Sequence, residues 1–247
     1  MENGPSNTPA ALGREPFTAG FWVLCAPFLF PVVGAFLVGA IWPGFRDAIG
    51  GESGRAAIGY VWTALAAIHL VHFASLSFWS ERVGAGAFAG SMRASQNWIV
   101  AAILLGPVIL IAPNLIAALF AGGQEGWEYS GDVDTSFFAR ENWGLAYLVF
   151  ALVLAPILEE VTFRGVALGA LITRRVPPVM AAVISSAAFT FLHVQYSVPA
   201  LAVVFVAGLG FSWLRLKSGS MLVPIIAHIA ANSMITFLAS LAPPPAG

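Results

Sequence analysis

Three short polar clusters interrupt the apolar C-terminal half of this chain: Glu159 and Glu160 with Arg164, then His193, then His228 with Asn232. A carboxylate beside an imidazole can draw a proton from water as it attacks a carbonyl. A carboxamide and a second imidazole can offer N–H groups to the negative charge that develops on the carbonyl oxygen. The set suits hydrolysis by an activated water and requires no covalent intermediate. Ser185, Ser186 and Cys25 lack a visible base-and-orienter arrangement, so a serine or cysteine nucleophile is the less supported chemistry.

The spacing within each cluster carries further information. Glu160 and Arg164 are one helical turn apart with the acid first, the favourable order for an ion pair, so Glu160 is expected to be the structural partner of Arg164. Glu159 points about 100° away on a helix, beyond easy reach of the same arginine, and is the carboxylate left for chemistry. Phe189 and His193 share a helix face, as do His228 and Asn232. At 1.5 Å per residue, Glu159, His193, His228 and Asn232 stand about 16, 21, 10 and 16 Å from one side of their helices, so they can converge at mid-depth. The alternative is a packing network without chemistry, as buried polar groups between membrane helices often form.

The elements that must position these residues are apolar helices. Hydrophobic residues make up 59% of the 247 and charged ones 9%, far from the roughly 25% charged of soluble domains. A bilayer core about 30 Å thick takes about 20 apolar residues per helix. Spans are expected at residues 21–42, 56–79, 98–121, 143–170, 179–196, 198–216 and 221–241, giving an all-α, polytopic membrane helix bundle of about seven transmembrane helices. Trp42, Trp79, Trp98 and Trp143 fall at span ends, where amphipathic rings suit the headgroup level. Pro27, Pro31, Pro107, Pro113 and Pro156 lie inside spans, where kinks are expected. In domain terms, residues 1–20 form a polar lead, 21–121 a three-helix membrane region, 143–241 a four-helix catalytic core and 242–247 a proline-rich tail. The apolar run near the N-terminus is too long for a signal core and reads as a retained span.

Arg14, Arg82, Arg93, Arg174, Arg175, Arg215 and Lys217 fall on one side of this arrangement. Arg46, Arg55 and Arg140 fall on the other, with an acidic loop at residues 124–141. Basic loops stay cytoplasmic, so the N-terminus is expected in the cytoplasm. A net charge of −1 without like-charge runs does not suit nucleic acid as a partner. One cysteine excludes an intramolecular disulfide.

A carboxylate at the centre of a bilayer helix costs about 2.5–3.5 kcal/mol on the lenient insertion scale, so intramembrane Glu159, Glu160 and Arg164 read as functional. The clusters resemble, in order, the three signatures of the CAAX prenyl protease and bacteriocin-processing (Abi) family: Glu159 to Arg164 as EExxxR, Phe189 to His193 as FxxxH, and His228 to Asn232 as HxxxN. The resemblance covers residues 145–238 and no motif supports the first three spans. It implies an intramembrane glutamate endopeptidase in which Glu159 and His193 activate water while His228 and Asn232 form an oxyanion hole. Glu160, Arg164 and Phe189 would support the site. It also implies a membrane-associated protein or peptide substrate, the lipid bilayer as surroundings, no cofactor and no metal. With ten Arg against one Lys, a bacterial inner membrane is the expected location.

Two other readings stand beside this one. His193, His228 and a glutamate could hold zinc, since His₂Glu is a catalytic ligand set, but HExxH is absent. His69 and His72 have metal-compatible spacing without a nearby acid, and read as packing or interface residues. A non-catalytic immunity factor, scaffold or transporter would also bury charge, although no paired broken helices in related halves are visible.

Overall fold

The computed structural model describes residues 26–43, 67–68, 70–76, 92–120, 148–193 and 196–241. Every regular element among them is helical: α1 (Ala26–Ile41), α2 (Gln96–Phe120), α3 (Ala155–Glu160), α4 (Leu168–Thr173), α5 (Pro178–Phe191), α6 (Val198–Ser218) and α7 (Leu222–Ser240). Two π-helical segments, Phe150–Leu154 and Val161–Ala167, flank α3, and right-handed helical backbone at each junction joins them with α4 into one rod. The expected lead at 1–20, the 124–141 loop, the tail at 242–247, and Trp79, Trp143 and His69 lie outside the described residues.

Turn chemistry sets the hairpins. α4 stops where Arg175 takes a left-handed backbone (φ 63°), with Val176 N–H donating to Leu171 O and Arg175 N–H to Ile172 O, a double bond pattern that closes a helix end. Pro177 and Pro178 follow, and Pro178 supplies the preset first turn of α5. Gly219, at φ 68°, closes α6 and leaves only residues 219–221 before α7.

In a lipid solvent helices associate through close packing of small residues rather than through exclusion of water. α7 lies along α2, α6 contacts α2 and α5, and the α3 rod touches α7. A methyl added at Gly106 of α2 would fall on the Ala227 carbonyl oxygen of α7, so only hydrogen lets these backbones meet. Ala102, Ala207, Ala227 and Ala231 continue that seam, with Val203, Phe211, Leu214 and Val223 filling it. The third expected span is therefore packed into the signature-bearing helices.

Among the described residues, Gln96–Ile116 and Val198–Ser218 are long and apolar enough to cross a membrane, whereas Pro178–Phe191 and Leu222–Leu238 are shorter apolar helices. Phe36, Ile41, Val179 and Val198 are among the large apolar side chains pointing outward, as a hydrocarbon surrounding requires. α2 remains helical through Pro107 and Pro113. Trp98 packs edge-on against Trp213, 6.5 Å between centroids, so it serves the helix interface.

Two expectations about local structure are corrected. The fifth span, expected over 179–196, ends at Phe191, and His193 sits in the following turn. Leu192 N–H turns back to Phe189 O and His193 N–H to Thr190 O, tightening the last turn until the α-pattern ends. The fourth span, expected as a helix over 143–170, is an α-helix interrupted by two π segments; at the first, Pro156 has no N–H to offer the Ala151 carbonyl.

Candidate active site

The α3 rod supplies the acids. Glu160 is fully buried, and its Oε1 accepts from Arg164 Nη1 at 3.0 Å, the pairing its spacing predicts. Arg164 is fully buried as well: Nη2 donates to Gly208 O at 3.0 Å, and its guanidinium carbon stands 4.5 Å and 5.5 Å from the Phe189 and Phe211 ring centroids. Two hydrogen bonds and two aromatic faces replace the water this cation leaves.

His228 of α7 stands between the consecutive carboxylates. Its Nδ1 is 2.9 Å from Glu160 Oε1 and its Nε2 is 3.7 Å from Glu159 Oε2. Glu160 is ion-paired and can only accept, so Nδ1 carries a proton. The Glu159 side chain is 22% exposed while that of Glu160 is wholly enclosed, which leaves Glu159 as the acid that reaches open space.

His193 projects from the turn after α5. Its Nδ1 lies 3.0 Å from Phe189 O, a carbonyl that can only accept. In the neutral ring Nε2 therefore holds the lone pair. Phe189 packs edge-on against both His193 and His228, at 4.9 and 6.0 Å, so one ring braces the two imidazoles.

Asn232, one turn beyond His228, donates Nδ2–H to Ala151 O at 3.1 Å. Ala151 lies in the first π segment, where Ala155 N–H bonds Phe150 O. The next donor in that pattern would be residue 156, a proline without N–H. Pro156 thus leaves the Ala151 carbonyl for Asn232, linking the rod to α7.

Glu159, His193, His228 and Asn232 all line a single cavity of about 300 Å³. Leu110, Phe150, Ala207, Phe211, Ile235 and Thr236 contribute to its remaining wall. Of the residues expected to support the site, Phe189 forms part of the cavity wall, and the buried Glu160 and Arg164 stand behind it. Sequence reasoning missed Ala151, Gly208 and Phe211, which belong to no motif; an aromatic residue in an apolar helix carries no mark that separates a site wall from a lipid-facing side chain. His72 is buried on a different segment, and the cavity does not include it. Among the described residues, no group of three or more His, Cys, Asp or Glu side chains could hold a metal ion.

Fold and site together define a helical membrane protein whose signature side chains meet at one internal cavity. Residues 141–234, fewer than half of the chain, match the family described as Type II CAAX prenyl endopeptidase Rce1-like. A protein of Escherichia coli, described as an uncharacterized 24.3 kDa protein, is 35% identical over 89 residues. Those residues are 35% of this chain, and the match spans 41% of the relative's length. No solved structure matches the chain.

Proposed function

We propose that this protein is an intramembrane endopeptidase that cleaves membrane-associated proteins or peptides with a water activated by Glu159 and His193. The observation that carries the reading is the gathering of Glu159, His193, His228 and Asn232 around one cavity, although they come from three separate chain segments. The family match over residues 141–234 supports a protease class.

In this reading Glu159 takes the proton of the attacking water, and His193 Nε2, freed by the Nδ1 bond to Phe189 O, orients or relays it. The water oxygen bonds to the scissile carbonyl carbon, whose oxygen becomes the oxyanion. Asn232 has a second amide N–H beyond the one given to Ala151 O, and this is aimed at the oxyanion. His228 donates from Nε2 only as an imidazolium, because Nδ1–H is already directed at Glu160. In that state the two carboxylates, the Arg164 guanidinium and the imidazolium sum to zero charge. Collapse of the tetrahedral intermediate breaks the C–N bond, and the proton first taken by Glu159 passes to the leaving amine.

The N-terminus in the cytoplasm and a location in a bacterial inner membrane belong to the same proposal. The test is peptidomic comparison of membranes from cells carrying wild type, Glu159→Gln or His193→Ala at equal membrane abundance. Accumulated uncut peptides in both variants are expected; unchanged peptide profiles would reject the hydrolase and favour a scaffold.

A further inference from the structure

We propose that Phe211, on α6, a helix with none of the signature residues, is a positioning residue that fixes the plane of the His228 imidazole. The two rings are stacked, 4.7 Å between centroids and 20° from parallel. Phe189 closes the imidazole from another direction, nearly perpendicular at 86°. His228 has work on both nitrogens: Nδ1 meets Glu160 and Nε2 faces Glu159. A half-turn about the bond joining ring to Cβ would exchange each nitrogen with a carbon and break both relationships. Torsions of this kind are broad and roughly two-fold, so the imidazole does not hold its own setting. To turn, it must pass through an orientation perpendicular to its present one, which drives an edge into the Phe211 face.

Phe211 is itself immobilised. It is 1% exposed and packs with Ala227 and Ala231, the neighbours of His228 on α7. One turn earlier on α6, Gly208 presents its carbonyl to Arg164 Nη2. A methyl at Gly208 would stand 3.0 Å from Ser186 Cβ and 3.3 Å from Arg164 Nη2, a tight fit that would press on both side chains. α6 therefore holds the two donors that converge on Glu160 Oε1, the guanidinium through Gly208 and the imidazole through Phe211. Gly208 acts through Arg164, and Phe211, although part of the cavity wall, acts on the chemistry through His228.

The inference rests on the hydrolase reading only for its kinetic arm. The full chain, labelled with ¹⁵N-histidine and reconstituted in nanodiscs, is compared as wild type, Phe211→Tyr, Phe211→Leu and Phe211→Met, with His228→Gln assigning the His228 signals. The expected result is one Nδ1–H form of His228 in wild type and Phe211→Tyr, and mixed ring states in the folded Leu and Met variants. In turnover of a peptide cut by wild type, kcat falls on the order of 100-fold in those variants with KM changed less than about two-fold, and Phe211→Tyr restores it. An unchanged His228 spectrum in folded Phe211→Leu or Phe211→Met overturns the proposal. Unfolding of both also overturns it, by making the ring a requirement of the bundle. Should Glu159→Gln leave cleavage intact, the hydrolase reading fails, while the spectral result still decides the role of Phe211.

Discussion

His228 and Glu160 are 68 residues apart along the chain and 2.9 Å apart in space. The contact ties the last helix to the α3 rod, and it ends on the same oxygen that receives Arg164. Glu160 is consequently a joint between a fixed cation and a working imidazole.

Removing one member of a buried ion pair leaves the other without compensation, a loss of about 3–5 kcal/mol. Glu160→Ala and Arg164→Ala are expected to lower the thermal midpoint of the purified protein sharply and to reduce its abundance in membranes. A midpoint equal to that of wild type in either variant would contradict the role given to this pair.

His193→Asn separates structure from chemistry at the end of α5. An asparagine amide can still donate to Phe189 O in place of Nδ1–H, but nothing then stands where Nε2 holds its lone pair. The fold should survive, and turnover should fall by about 10²–10⁴, the usual contribution of a positioned proton-transfer group. Circular dichroism and peptide cleavage on the same preparation measure both.

Pro156→Ala restores an N–H that competes for the Ala151 carbonyl. Asn232 then loses its anchor, and turnover is expected to drop towards that of Asn232→Ala, about 10²–10³ below wild type. The double variant should be no slower than Asn232→Ala alone, since both changes act on one bond. Additive losses in the double-mutant cycle would refute the link.

Gly106→Val places a branched side chain against the Ala227 carbonyl and must push α7 from α2. Overpacking of this kind costs about 1–3 kcal/mol. Because His228 follows Ala227 directly, the displacement should also reduce cleavage in the fraction that folds. Melting curves read the first effect and active-fraction titration the second.

Much of the site could be read from residue spacing because its local parts obey helix geometry. The Glu160–Arg164 pair needed only a four-residue interval and the cost of burying charge. The convergence of His228 on two acids was not readable, since heights along separate helices say nothing of which helices are neighbours. His193 was placed within a span because Leu192, Val194 and Tyr196 carry the apolar pattern past Phe191, where the helix ends. The π segments carry no sequence signal of their own, the second running through Thr162 and Arg164, and Pro156 read as a kink although its missing N–H leaves the Ala151 carbonyl to Asn232. Gly208 and Phe211 had no motif to mark them, and their roles appear only when α6 is laid against the α3 rod and α7.

The guanidinium of Arg164 is shut away from every aqueous phase, braced by a backbone carbonyl and two benzene faces. Its positive field is therefore a permanent fixture that neither salt nor a passing guest can wash out. The carboxylate bound to it is committed to the guanidinium and the imidazole, and the chemistry is left to the groups that open onto the chamber.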